Sequence, residues 1–179
     1  MRWMPSRSKV RRLTLVALLC AMALATQYFE ALLPPIVPAI PVRLGLANLF
    51  TLYALLRLSR LDALSVSFLR CLLFPLLSGA VSGFFYAAAG SLSAFCAMAL
   101  LLPLYARGTL SPIGLSVAGA FFFNLGQTLV GLLVTGPAML AYFPYMGLLS
   151  IPAGAATGLA CLLLIRRLAG RESSASSRS

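Results

Sequence analysis

Apolar runs separated by short polar stations divide the chain into six segments, at about residues 13–33, 44–58, 63–77, 84–105, 112–135 and 145–165. A helix of about 20 apolar residues crosses the hydrocarbon of a bilayer. The pattern therefore predicts an all-α integral membrane protein of six transmembrane helices, the second one short. Pro34, Pro35, Pro38 and Pro41 forbid regular helix between the first two runs and predict an outer loop. An uncharged turn is expected over residues 78–82. Ser111 and Pro112 read as the N-cap and first residue of the fifth helix. An uncharged outer loop, residues 136–144, leads to the sixth helix, which Arg166 and Arg167 should stop. The Ser-rich end, residues 172–179, is expected to be disordered.

Charge orients this pattern. There are 14 basic residues against three acidic ones. All but Arg43 and Arg70 form an N-terminal group (Arg2, Arg7, Lys9, Arg11, Arg12), a pair (Arg57, Arg60), Arg107 and a C-terminal group (Arg166, Arg167, Arg171, Arg178). Basic residues concentrate on cytoplasmic connections, so alternate turns face inward and both termini are cytoplasmic. The organisation that follows is a basic tail (1–12), a helical bundle (13–168) and a disordered tail (169–179). Asp62 begins the third helix, where a carboxylate suits the helix dipole. The net charge of +11 follows this topology and makes no basic stripe with interleaved aromatics, so nucleic acid is not an expected partner. Residues 11–25 have the outline of a signal peptide, with Ala23-Leu24-Ala25 as the cleavage site. The apolar run continues to Leu33, however, and a retained span is expected.

Missing residue types narrow the chemistry. Histidine is absent, which excludes a Ser-His-Asp triad, a Cys-His dyad and His-based metal sites. Cys20, Cys71, Cys96 and Cys161 lie in apolar runs without CxxC spacing and read as small packing residues. Lys9 is the only lysine, so there is no Walker A motif. Asp62 is the only aspartate, so no Asp-rich cluster holds Mg²⁺ on a diphosphate. No catalytic residue, metal or cofactor is expected.

Polar groups at membrane depth carry the functional reading. Arg70 stands eight residues past Asp62, about 12 Å into the membrane, and must find a partner inside the bundle. Asn124 and Gln127 share one face of the fifth helix, as do Gln27 and Glu30 on the first. Arg43 and Asn48 flank the start of the second. Two arginines and one glutamate leave one positive charge and predict a pocket for an anionic or electron-rich ligand. The competing reading pairs Arg70 with Glu30 and uses Asn124 and Gln127 as glue between helices. Tyr28, Phe29, Tyr142, Phe143 and Tyr145 either cover such a pocket or form an interfacial belt. Small residues repeat every four positions at Ala17, Ala21 and Ala25, at Gly79, Gly83, Ala87 and Ser91, and at Gly154 and Gly158. They permit close helix approach, within the bundle or to another membrane protein.

Several of these residues fall in an order that resembles one family. They are Arg43-Leu44-Gly45-Leu46-Ala47-Asn48, then Arg70, then Ala89-Gly90-Ser91-Leu92-Ser93, then Ser116-Val117-Ala118-Gly119-Ala120 and Asn124-Leu125-Gly126-Gln127. Over about residues 13–168 the chain resembles the Gx transporter family, whose members are often labelled heptaprenyl diphosphate synthase component I. Phe123 stands where that pattern leads one to expect histidine. The family is in turn similar to the S components of energy-coupling factor transporters. The resemblance implies a bacterial cell-membrane subunit that binds a small vitamin-like solute near its outer face. It also implies a loop between helices one and two that closes over the solute. Ala17, Ala21 and Ala25 would dock a transmembrane coupling subunit, and separate ATPases would supply energy. Arg70, Asn124, Gln127, Arg43, Glu30, Asn48 and Gln27 are the expected solute contacts. The alternatives are a non-catalytic membrane component of a polyprenyl diphosphate synthase and a purely structural subunit.

Overall fold

The computed structural model describes residues 9–32, 45–78 and 83–176. They form six α-helices and one 3₁₀ segment, with no strand among the described residues. The helices are α1 (Lys9–Leu32), α2 (Asn48–Arg57), α3 (Arg60–Ser78), α4 (Gly83–Ala106), α5 (Pro112–Thr135) and α6 (Phe143–Ser176). The 3₁₀ segment is Pro137–Ala141. Four helices are long and apolar enough to cross a membrane: α1, α4, α5 and α6. The chain is a multi-pass membrane protein.

α2 and α3 fall short of that standard, which modifies the expectation of six spans. α2 has 10 residues, about 15 Å of rise, half of a bilayer's hydrocarbon. α3 has 19 residues but carries Arg60, Asp62 and Arg70. The expected outer loop with its four prolines, and Arg43, lie outside the described residues.

Three further boundaries differ from the sequence reading. α1 begins at Lys9, so Arg11 and Arg12 belong to the helix and not to a tail. Arginine is a good helix former, so a helix leaving the hydrocarbon has no reason to end there. For the same reason α6 is not stopped by Arg166 and Arg167 and runs to Ser176, through most of the segment expected to be disordered. The loop at 136–144 is partly ordered as the 3₁₀ segment, and its Met139 packs toward Gly131 of α5. The start of α5 is as the sequence predicts. The Ser111 hydroxyl accepts from the Gly114 N–H at 3.1 Å, and Pro112 opens the helix where its missing N–H costs nothing.

α2 is the hub of the bundle. It packs against each of the other five helices, and α1, α3, α4, α5 and α6 follow one another around it. Among the described residues α1 and α6 do not touch, so the ring is open between them. Phe50, Thr51, Leu52, Ala54 and Leu55 of α2 are buried, and they join Val16, Leu19 and Ala23 of α1, Val66 of α3 and Met98 of α4 in one core.

Small residues set the helix spacing. A Cβ on Gly126 would meet the Ala89 carbonyl oxygen at 2.5 Å, and one on Gly90 would meet Gln127 Cγ at 2.9 Å, so α4 and α5 touch backbone to backbone. Gly154 and Gly158 press on Val117 Cα and Ile113 Cα, at 2.6 and 2.7 Å for an added Cβ. The α6 glycine pair is thus used inside the bundle, against α5. Ala17, Ala21 and Ala25 behave differently: all three are exposed on the outer face of α1.

Candidate ligand site

The polar groups converge at the N-terminus of the short hub helix. Phe123, which faces this point, is residue 12 of the 24 in α5, about 17 Å from its start. Gly45 (φ +71°) turns the chain into α2. The Asn48 N–H bonds the Gly45 carbonyl at 2.9 Å, and Asn48 is the first helical residue. Burial of Asn48 requires a partner for its amide, and Arg70 of α3 supplies one. A terminal guanidinium nitrogen of Arg70 donates to Asn48 Oδ1 at 3.1 Å and to Ser91 Oγ of α4 at 2.7 Å. Arg70 is only 3% exposed. One side chain therefore ties the hub to two neighbouring helices.

The acidic partner comes from α1. Glu30 accepts a hydrogen bond from the Leu46 N–H at 2.6 Å, so its carboxylate sits at the N-terminal end of α2, where the helix dipole favours a negative charge. It is also within electrostatic reach of Arg70. Gln27, one turn earlier on α1, is buried beside it.

These groups enclose a void of about 10 Å³ lined by Gln27, Glu30, Gly45, Arg70, Ala87, Ser91 and Phe123. Two polar atoms remain unmatched here. Arg70 Nε and Gln27 Oε1 are buried without a hydrogen-bond partner. Buried donors and acceptors are nearly always paired, so an unmatched one of each kind on residues lining a single void makes this the candidate site.

The expected site residues thus divide. Arg70, Glu30, Gln27 and Asn48 meet at one point. Asn124 faces α6 instead, where its amide donates to the Met146 carbonyl at 3.0 Å. Gln127 packs on Gly90, next to Ser91 but outside the lining of the void. Arg43 lies outside the described residues. Tyr28, Phe29 and Tyr145 are exposed and do not cover the void; Phe143 packs edge-on against Phe121, at a centroid distance of 5.9 Å. The site includes Ser91, which reads in the sequence as a small residue and as part of the Ala89–Ser93 segment, not as a solute contact. Its four-residue spacing from Ala87 was the available signal, since both line the same wall.

A second polar cluster holds the other end of α1. Arg12 Nε donates to both carboxylate oxygens of Asp62, at 3.0 and 2.9 Å, and its terminal nitrogen donates to Ser59 Oγ at 2.7 Å. Ser59 and Asp62 cap α3 reciprocally: the Asp62 N–H donates to Ser59 Oγ at 3.2 Å, and the Ser59 N–H donates to Asp62 Oδ2 at 3.1 Å. The helix-dipole role of Asp62 is one part of this larger arrangement.

On the lipid-facing side, α5 and α6 frame an apolar groove of about 630 Å³ with Phe121, Phe122 and Phe143 in its wall. It shares no lining residue with the Arg70 void.

No curated protein and no solved structure is significantly similar to the chain. A sequence profile described as heptaprenyl diphosphate synthase component I matches residues 19–164, which takes in all of the site just described and most of the bundle. The chain belongs to the heptaprenyl diphosphate synthase component I family.

Proposed function

We propose that this protein is a membrane-embedded binding and transport subunit for a small vitamin-like solute, with the solute seated at Arg70. The observation that carries the reading is Arg70 itself. A purely structural arginine would spend its donors on fixed acceptors. This one is 3% exposed, bonds Asn48 and Ser91 through a terminal nitrogen, leaves its buried Nε–H unmatched, and lines a void. Intramembrane ionisable residues mark ligand and ion pathways. A helix that starts inside a bundle is a recurrent device for presenting polar backbone to a solute.

In this reading Arg70, Glu30, Gln27, Asn48 and Arg43 contact the solute, and Asn124 and Gln127 support the wall. Partner subunits supply the energy, because the chain has no Walker A lysine. The outward Ala17, Ala21 and Ala25 face is where a coupling subunit docks. Solute moves inward by a rocking of the bundle in a bacterial cell membrane. The test is uptake by membranes with the chain restored to a deletion background. Arg70→Gln and Glu30→Gln should each lower uptake at least tenfold while the extracted proteins stay folded. Full uptake by both folded variants would remove the site.

The family description favours a second reading. The chain would be a non-catalytic membrane component of a heptaprenyl or other polyprenyl diphosphate synthase in isoprenoid quinone synthesis. Its single aspartate is consistent with catalysis residing in another chain. Co-purification of a soluble Asp-rich synthase, with altered product length when this chain is deleted, would establish it. Unchanged product length would exclude it.

A further inference from the structure

We infer that the Arg70 void takes a neutral group that accepts one hydrogen bond and donates another, a hydroxyl or an amide, and not a phosphate or carboxylate. The inference rests on the ligand-binding reading above and narrows it.

Three observations lead there. The first is the unmatched pair: Arg70 Nε is a donor in need of an acceptor, and Gln27 Oε1 is an acceptor in need of a donor. Both belong to residues that line the same void. A carboxylate or fully ionised phosphate satisfies the first and offers nothing to the second. A hydroxyl or amide satisfies both. The second is charge. Among the described residues, Arg70 and Glu30 are the ionised side chains that line the void, one of each sign. An incoming anion would place its charge beside the Glu30 carboxylate in a low-dielectric interior, where like charges repel strongly. Glu30 already occupies the favourable anionic position at the start of α2, on the Leu46 N–H. The third is size. A void of about 10 Å³ is at the lower limit for a single water. A diphosphate does not fit, and it would need several cations where the wall supplies one. Phe123 makes one side of the void apolar, which suits a ligand whose polar end adjoins a hydrocarbon or aromatic body.

The sequence alone pointed to an anion because Arg43 tipped the charge count. Arg43 lies outside the described residues.

The experiment compares small molecules retained by the full-length protein after extraction in mild detergent, identified by mass spectrometry, across wild type and three variants. Arg70→Lys keeps the charge and a terminal donor but removes the Nε–H. Gln27→Leu removes the acceptor. Glu30→Gln removes the negative charge but keeps an acceptor for the Leu46 N–H. The expected result is one species held by wild type whose retention falls at least tenfold in Arg70→Lys and in Gln27→Leu and does not rise in Glu30→Gln. Retention that rises several-fold in Glu30→Gln, or is unaffected by Gln27→Leu, means that the bound end is anionic. That outcome overturns this inference and leaves the binding reading standing. If wild type retains no small molecule at all, the binding reading fails and this inference fails with it. Gln27→Leu adds no charge and no bulk, so its retention decides the matter even if a variant at position 70 does not fold.

Discussion

Arg70 does two jobs that a conservative change can separate. Its terminal nitrogen ties Asn48 to Ser91, and its Nε–H is left unmatched beside the void. Replacement by methionine would leave Asn48 Oδ1 and Ser91 Oγ buried without the guanidinium that bonds them. We expect Arg70→Met to lose about 2–5 kcal/mol, the scale of leaving two buried groups without a charged donor. Arg70→Lys keeps a cation and a terminal donor and should lose only about 1–2 kcal/mol, the scale of one weakened charged hydrogen bond. Denaturant titration in detergent would measure both. Equal losses would mean that the terminal nitrogen is not the structural tie. At this scale the sequence showed which residues were unusual but not how they paired. Asn124 and Gln127 are three apart and share a face, yet Asn124 is drawn to the exposed backbone of α6. Which carbonyl a buried amide finds is a property of tertiary packing and leaves no trace in spacing. Arg12 is the converse case. It lay in an expected tail, and only the meeting of α1 and α3 reveals that it grips Asp62.

Helix starts were more legible than helix ends. Ser111-Pro112 fixed the start of α5 because an N-cap hydroxyl and a Pro at the first position are local signals. The end of α6 was illegible for the opposite reason. Charge marks where a helix leaves lipid, not where its hydrogen bonding stops, and α6 continues past Arg167. Packing between elements yields a sharp contrast. Gly154 and Gly147 are both in α6, but an added Cβ meets Val117 Cα at 2.6 Å in the first case and only Phe121 at 3.6 Å in the second. Gly154→Ala should therefore force α5 and α6 apart, at a cost of about 1–3 kcal/mol. Gly147→Ala should be neutral or stabilising by up to about 1 kcal/mol, from helix propensity. Thermal unfolding of the two variants side by side checks this, and a destabilised Gly147→Ala would contradict the α5–α6 geometry.

For the whole molecule, hydropathy and the placement of arginines were enough to recognise a multi-pass helical membrane protein. They did not settle how many helices cross in full: α1, α4, α5 and α6 are long and apolar enough, while α2 has 10 described residues. Orientation remains an expectation with a direct test. In a cysteine-free background, Thr109→Cys in the α4–α5 turn should react with an impermeant thiol reagent only from the cytoplasmic side. Ala138→Cys in the 3₁₀ segment should react only from outside. Labelling of both from the same side would break the alternation on which the topology depends.

The position of α2 has an evolutionary consequence. A helix that every other helix leans on offers no outward-facing residue at which change is free. A methyl group gained or lost on it is felt by five neighbours at once. Saturation mutagenesis should find its least forgiving stretch over residues 48–55, more sensitive per position than the longer helices. Natural variation should accumulate instead on the lipid-facing sides of α1 and α6.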